Sequence, residues 1–348
     1  MRSSILTLFA VAVFVPFLAC NQAVTEEETA TGSAGIDNFT GHWTLDIEGT
    51  WVGWLGVSQE EGYLDAELLW KWGSVSPVAN VFLADDRVLH VTRTSARRRA
   101  AAEGDQPRTH MVTNWMEAQT DGENIYGYFL EPADDGLSVD STWFEGVKLP
   151  DVPPAPNLDA VEYDDPVELF NGTDLSGWEL IEDHLVNGWV AKDGVLLNDA
   201  RQEAGEPRIS YGNLRTVDEF EDFNLKLEVN VPEGSNSGIY LRGIYEIQIL
   251  DSYGREPNDH NMGALYSRIT PSEAAEKPAG EWQTMDITLV DRHVTVILNE
   301  ATIIDNQPVY GPTGGALHSD VFAPGPIFLQ GDHGPVSFRN IVLTPVAD

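Results

Sequence analysis

The stretch GIYLRGIYEIQILDSYG, residues 238 to 254, sets apolar side chains at every second position, the period of a strand with one buried face. The positions between carry reactive groups where a surface strand would use Thr, Lys and Ser. Tyr240, Arg242, Glu246 and Gln248 share one parity, and the carboxylate of Asp251 closes the run. A carboxylate can move a proton, a guanidinium offers a fork of donors, and an amide or phenol can hold hydroxyls. Gly243 is suited to turn the chain between two strands, so register is counted anew on each side. Tyr240 then lies with Arg242 and Glu246 with Gln248, while Ile239, Leu241, Tyr245, Ile247 and Ile249 point into a core. The expected result is a sheet whose polar face lines a groove.

The flanking segments must build that sheet. FEDFNLKLEVNV puts Phe223, Leu225, Leu227 and Val229 on one face and Asn224, Lys226, Glu228 and Asn230 on the other, and MDITLV and HVTVILNEATII alternate likewise. Only PSEAAEKPAG suggests a short helical turn. Antiparallel strands over this length bury best as two facing sheets, so residues 162–348 are expected to form a jelly-roll sandwich. Upstream, residues 38–147 read as short strands divided by Asp-Asp and Asp-Gly turns, the pattern of a small antiparallel barrel. The whole is expected to be all-β. Trp43, Trp51, Trp54, Trp70, Trp72, Trp115 and Trp143 fall in the barrel region and are read first as core and edge packing, with an aromatic ligand cup as the alternative. RTSARRRAAAEGDQPR, residues 93 to 108, is expected to interrupt the barrel as a solvated loop or short helix; a clamp for an anion or a dock for the other domain is the rival reading. Four prolines in KLPDVPPAPNLDA make residues 148–161 a semi-rigid linker.

The charge balance, 20 basic against 56 acidic residues for a net −36, argues against nucleic acid, whose phosphates need a cationic footprint. With Cys20 the single cysteine, no disulfide supports either core. Arg2 followed by ILTLFAVAVFVPFLA and Cys20 resembles a bacterial lipoprotein signal. That resemblance implies a signal peptide at 1–19, a lipidated Cys20, a flexible tether at 20–37, and an exported protein touching membrane through its anchor alone, in the periplasm or at the cell surface.

TGHWTL, with Gly41 and Trp43, resembles the opening of lipocalin-like barrels. EIQILD resembles the Glu-x-Asp-x-x-Glu strand of laminarinase-type glucanases of the concanavalin-like fold, with Glu246 in the first place, Gln248 for the middle aspartate and Asp251 for the second glutamate. An amide cannot tune its neighbours by charge and Asp is one methylene shorter, so direct double displacement is disfavoured. LFNGTDLSGWE, GWVAKDGVLL, FNLKLEVNVPEGSNSGIYLRG, YEIQILDSYG, GALYSRITPSEAAEKPAGEWQTMDITL and GPIFLQGDHGPVSFRNIVLTPV, in this order from about residue 166, resemble the 3-keto-disaccharide hydrolases, also described as 3-keto-glucoside 1,2-lyase/3-keto-2-hydroxy-glucal hydratases. The resemblance implies a concanavalin-like fold and a route in which a ketone at C3 acidifies the C2 hydrogen, a base removes it, the aglycone leaves C1, and water adds to the resulting 2-hydroxyglucal. That route needs a base, an acid for the leaving oxygen, and a positive group or metal for the enolate oxygen. Glu246 is then the expected base and Asp251 or His333 the acid, with Arg242 polarising the ketone. Tyr240, Gln248, Tyr266 and Gln330 would bind hydroxyls. Asp332, His260, His318 and Asp259 are the residues at hand for a divalent ion. The substrate would be a glycoside or oligosaccharide already oxidised by a sugar 3-dehydrogenase. A non-catalytic glycan-binding lipoprotein and a laminarinase-like hydrolase are the rival functions.

Overall fold

The protein is described here by a computed structural model covering residues 35–99, 108–203 and 205–347; residues 1–19, Cys20 and most of the 20–37 tether lie outside the described residues. One compact unit, Ala34–Asp348, holds all that follows. Its architecture is nearly all β, as the alternating sequence requires, and among the described residues no helix is long and apolar enough to cross a membrane.

In the N-terminal half, alternation sends one side chain in two inward: Trp43, Leu45 and Ile47, then Leu89 and Val91, then Met116 and Ala118 are all fully buried. Antiparallel pairing runs from Tyr63–Trp70 through Trp51–Glu60, Gly41–Ile47, Val139–Leu149, Asn124–Pro132 and Arg108–Thr120 to Val88–Arg99. One bent segment joins the two ends of that series. Ser76–Pro77 pairs with Tyr63–Trp70 and Asn80–Ala84 with Val88–Arg99, and between them Val78 N–H donates to the Ala66 carbonyl at 3.0 Å and Ala79 N–H to that of Thr92 at 2.7 Å. Pro77, lacking a donor, sits where the pairing changes partner. The pairings therefore form a ring around an apolar interior.

The arginine segment departs from expectation. Arg97 and Arg98 are neither loop nor helix: residues 93–99 continue the strand Val88–Arg99 and pair with Arg108–Asn114, which spares their backbone groups. Arg97 forms an ion pair with Asp134. PSEAAEKPAG likewise forms bends without a helical turn, held by a reciprocal pair in which Lys277 N–H donates to Gln283 Oε1 and Gln283 Nε2 to the Lys277 carbonyl, each at 2.9 Å.

The C-terminal half carries two sheets. The larger holds, in order, Trp189–Lys192, Val195–Asn198, Val336–Pro345, Phe223–Asn230, Trp282–Val290, His293–Leu298 and Ala301–Pro308, with Val167–Glu168 beside Val336–Pro345. The smaller holds Trp178–Leu180, Leu214–Thr216, Phe328–Leu329, Asn236–Leu241 and Tyr245–Leu250. Leu225, Val229, Ile287, Leu289 and Val296 from the first share one core with Ile239, Leu241, Ile247, Ile249 and Leu329 from the second. Each such side chain contributes about 1.5–3 kcal/mol by leaving water, and with no disulfide available this packing carries the fold.

The proline-rich segment does not swing free. The Pro150 carbonyl accepts from Arg292 Nη1 at 3.1 Å and that of Pro156 from Asn306 Nδ2 at 2.9 Å, fastening it to the sandwich. Trp54 of the ring crosses into the sandwich core, its indole N–H donating to the Tyr310 carbonyl at 2.9 Å and Arg268 stacking on its ring at 4.3 Å. The ring is thus docked through an aromatic side chain, a contact that sets up the site below.

Candidate functional site

The smaller sheet builds a hollow of about 420 Å³ on its outer face. In the hairpin Asn236–Leu241/Tyr245–Leu250, Tyr240 pairs with Glu246 and Gly238 with Gln248, so these side chains rise together on the face opposite the core. Phe328, beside Tyr240 on the next strand, stacks on the phenol with ring centroids 3.9 Å apart. The outer edge of Tyr245–Leu250 is covered by residues 263–266. There Tyr266 N–H donates to the Glu246 carbonyl at 2.9 Å, which delivers Tyr266 to the hollow. Gln330 N–H donates to the Gly238 carbonyl at 2.9 Å, and the loop beyond brings in Asp332 and His333.

Glu246 is 4% exposed and sits directly over the strand beside it, since a Cβ on Gly238 would lie 2.4 Å from its Oε1. The phenol oxygen of Tyr240 lies 2.8 Å from Glu246 Oε2 and 2.7 Å from the Gly314 carbonyl. One phenol proton cannot satisfy both acceptors. When Glu246 is protonated it donates to Tyr240, which donates to Gly314; when it is ionised the phenol turns to the carboxylate and the carbonyl loses its donor. Burial pushes the Glu246 carboxyl up to about 7, opposed by the Tyr240 hydrogen bond and by nearby His333. Burial also holds the Tyr240 phenol well above its usual range, so it stays protonated.

His333 stands at the open side with Nδ1 2.7 Å from Asp332 Oδ1. That hydrogen bond, with the Asp332 and Glu246 charges, raises the imidazole above its ordinary value. The hollow thus joins a carboxyl poised near neutrality to an imidazole biased toward its charged form. Gln248 Oε1, Gln330 Oε1 and Asn236 Oδ1 are buried without partners among the described residues, three acceptors ready for hydroxyl donors.

Arg242 and Asp251 are placed elsewhere. Arg242 begins the turn, with φ at +53°, and its guanidinium donates to the Val321 and Ala323 carbonyls rather than facing the hollow. Asp251 accepts from Gly234 N–H at 2.9 Å at the hairpin's open end. His318 is a half-buried residue of another loop. His260 lies behind Tyr266, edge-on to its ring at 4.7 Å, with Nδ1 on Asp259 and Nε2 2.7 Å from Ser74 Oγ. Asp332 alone among Asp332, His260 and His318 lines the hollow, and among the described residues no three His, Cys, Asp or Glu side chains group as a metal site.

The N-terminal half supplies one wall. Trp72 and Gly73 line the hollow from the turn after Tyr63–Trp70, with Trp72 edge-on to Trp51 at 4.8 Å. Beyond the Ser74–His260 contact, Val75 N–H donates to Ser267 Oγ at 2.9 Å, pinning the turn to the sandwich. Asn213, Asn236, Gly314, Gly315 and Phe328 also line the hollow. Of these only Asn236 carried a usable signal, since the parity of Tyr240 and Gly238 extends back to it.

Residues 165–344 match the model of the family described as the 3-keto-alpha-glucoside-1,2-lyase-like domain. A 3-keto-disaccharide hydrolase of Bacteroides thetaiotaomicron is 24% identical over 172 residues, which cover 42% of this chain and 59% of that protein. The chain therefore spans less than two thirds of the length of this curated relative. Two solved structures of Parabacteroides distasonis proteins named as glycosyl hydrolases are also similar. One is 29% identical, covering 56% of this chain and 92% of its own, with a TM-score of 0.42. The other is 22% identical, covering 52% and 94%, with a TM-score of 0.43.

Proposed function

This chain belongs to the 3-keto-alpha-glucoside-1,2-lyase-like domain family, and from that premise we propose that its hollow cleaves 3-keto-glucosides by elimination and rehydrates the product. One observation carries the reading: Glu246, buried with its carboxyl near 7, shares a sugar-sized hollow with the Asp332–His333 pair. Ionised Glu246 takes the proton from C2, which the C3 ketone acidifies. The electron pair forms the C1–C2 double bond as the C1–oxygen bond breaks, and protonated His333 gives its proton to the leaving oxygen. Water then adds hydroxyl to C1, its other proton returning to His333, while Glu246 gives its proton back to C2. The sum is hydrolysis, with both residues reset. Tyr240 holds the carboxyl in place, and Gln248, Gln330 and Tyr266 would grip ring hydroxyls. Asp251 and Arg242, turned away, have no part. With the Asp251 carboxylate held on Gly234 N–H away from the hollow, the hairpin does not offer the paired carboxylates of double displacement.

Export, a lipid anchor at Cys20 and a sugar 3-dehydrogenase supplying the ketone complete the proposal, supported by the sequence alone. Incubation with nitrophenyl 3-keto-glucoside and the unoxidised glucoside tests it, with and without EDTA to reveal a bound ion. Release from the keto substrate alone is expected. Release from the unoxidised glucoside would establish a conventional hydrolase, and binding without release a glycan-binding module.

The reaction needs Glu246 ionised and His333 protonated, so kcat/KM is expected to be bell-shaped in pH. Its acid limb should rise through about 7 as Glu246 loses its proton and its alkaline limb fall as His333, raised above its ordinary value, loses its own. In His333→Gln the alkaline limb should vanish. A profile flat from mildly acidic to mildly alkaline pH would remove Glu246 from the role of base.

A further inference from the structure

The ring of strands in the N-terminal half has a cavity of its own, of about 440 Å³, remote in function from the hollow just described. Its construction follows from alternation. Inward positions run Leu89, Val91, Arg93 on one strand, Ala118, Met116, Asn114 on the next and Ile125, Gly127, Phe129, Glu131 on the third. Arg93 and Asn114 are register partners, and Asn114 Nδ2 donates to Glu131 Oε1 at 2.8 Å. One level above the apolar interior, the inner face therefore changes to a cation, an amide and a carboxylate side by side.

The floor is aromatic. Trp70 stacks on Phe129 at 4.3 Å and is 8% exposed, yet its indole N–H has no partner among the described residues. Asn114 Oδ1 is also buried and unpartnered. A buried indole that finds no acceptor forfeits a hydrogen bond that buried Trp ordinarily makes. An unpartnered donor and an unpartnered acceptor on residues lining one cavity beside an aromatic side chain point to a ligand bearing both. Arg93 and Glu131 offset each other's charge, which favours a neutral occupant.

We propose that this cavity is a second binding site for a neutral sugar ring, which packs against Trp70, accepts from the Trp70 indole N–H and donates a hydroxyl to Asn114 Oδ1. The half that walls the catalytic hollow would then also hold glycan itself, at a place distinct from the chemistry.

Indole N–H resonances of the intact chain test this, with the Trp70 signal assigned by its loss in Trp70→Phe. D-glucose and cellobiose should shift that signal saturably. In Asn114→Leu the affinity should fall about five- to ten-fold, the loss of one hydrogen bond, with the other indole signals in place as proof of folding. If that variant does not fold, Glu131→Gln serves, since it keeps the shape while disturbing the Asn114 amide. Gln248→Ala, on the other hollow, should leave the Trp70 titration unchanged, and the catalytic reading is tested separately by release from the 3-keto-glucoside. A Trp70 signal that stays still with both sugars, or that moves only with D-glucuronate, would overturn the proposal.

Discussion

Replacing Glu246 with Gln is expected to cut turnover of a 3-keto-glucoside by about 10²–10⁴-fold, the span that a positioned general base supplies, while leaving KM little changed. The amide keeps the size of the carboxyl and can still accept from Tyr240, so the hollow should hold its shape. It cannot take a proton from C2. The same substitution should also stabilise the fold, and pH gives that effect its signature. Glu246 is 4% exposed, and burial moves it from 4.5 to about 7. Below 4.5 the carboxyl is neutral in both folded and unfolded chains and costs nothing. As pH rises toward 7, the unfolded chain sheds its proton while the folded chain keeps it, so folding stability falls; above that the whole penalty is present. The shift corresponds to about 3 kcal/mol. Denaturant unfolding should therefore find the Gln variant more stable than the parent at alkaline pH and equal to it in acid. Parallel stability curves for the two proteins would show that Glu246 is not held in this strained ionisation. Loss of activity with a gain in stability is what a site built against folding looks like.

How far the sequence foretold this arrangement depends on where backbone alternation holds. Tyr240, Glu246 and Gln248 were legible because each lies inside a strand, where period two decides the face. The same count failed at Arg242, which opens the turn at positive φ, and there parity stops having meaning. Buried guanidinium donors then went to the nearest free carbonyls, those of Val321 and Ala323, which no local pattern announces. Asp251 failed for a related reason, one residue past the strand's end. The all-β class and both cores could be read from alternation. The straight passage of the arginine segment into a strand could not, because three adjacent arginines look solvated whether in a loop or on a strand facing water. Gly73 carries no signal as a site residue, and Trp72 reads first as packing, with a ligand cup in the N-terminal half only as the alternative. They reach the hollow only through docking of the two halves, a product of long-range packing with no short-range trace.

That docking makes Gly314 the position where a single methyl group should do most harm to the site. A Cβ there would lie 2.0 Å from the Gly73 carbonyl oxygen and 2.7 Å from Gly73 N, both backbone atoms with no rotamer to yield. Gly73 itself has φ at +82° and is tied through its neighbours, Ser74 to His260 and Val75 to Ser267. In Gly314→Ala one backbone must retreat, and Gly314 also carries the carbonyl that receives the Tyr240 proton. The expected cost is about 1–3 kcal/mol of stability, the range for overpacking a well-fitted contact. Function should suffer in two ways. Withdrawal of the turn removes the Trp72 wall and should raise KM, and a displaced Gly314 carbonyl leaves Tyr240 to donate to Glu246 alone, which favours the ionised carboxyl. The acid limb of the pH profile should therefore move to lower pH, whereas Trp72→Ala, an exposed truncation, should raise KM by about two- to ten-fold and leave that limb in place. Thermal unfolding and pH profiles of both variants decide the matter: a Gly314→Ala protein with the parent's Tm, KM and acid limb would mean that the two halves do not meet at the site in this way.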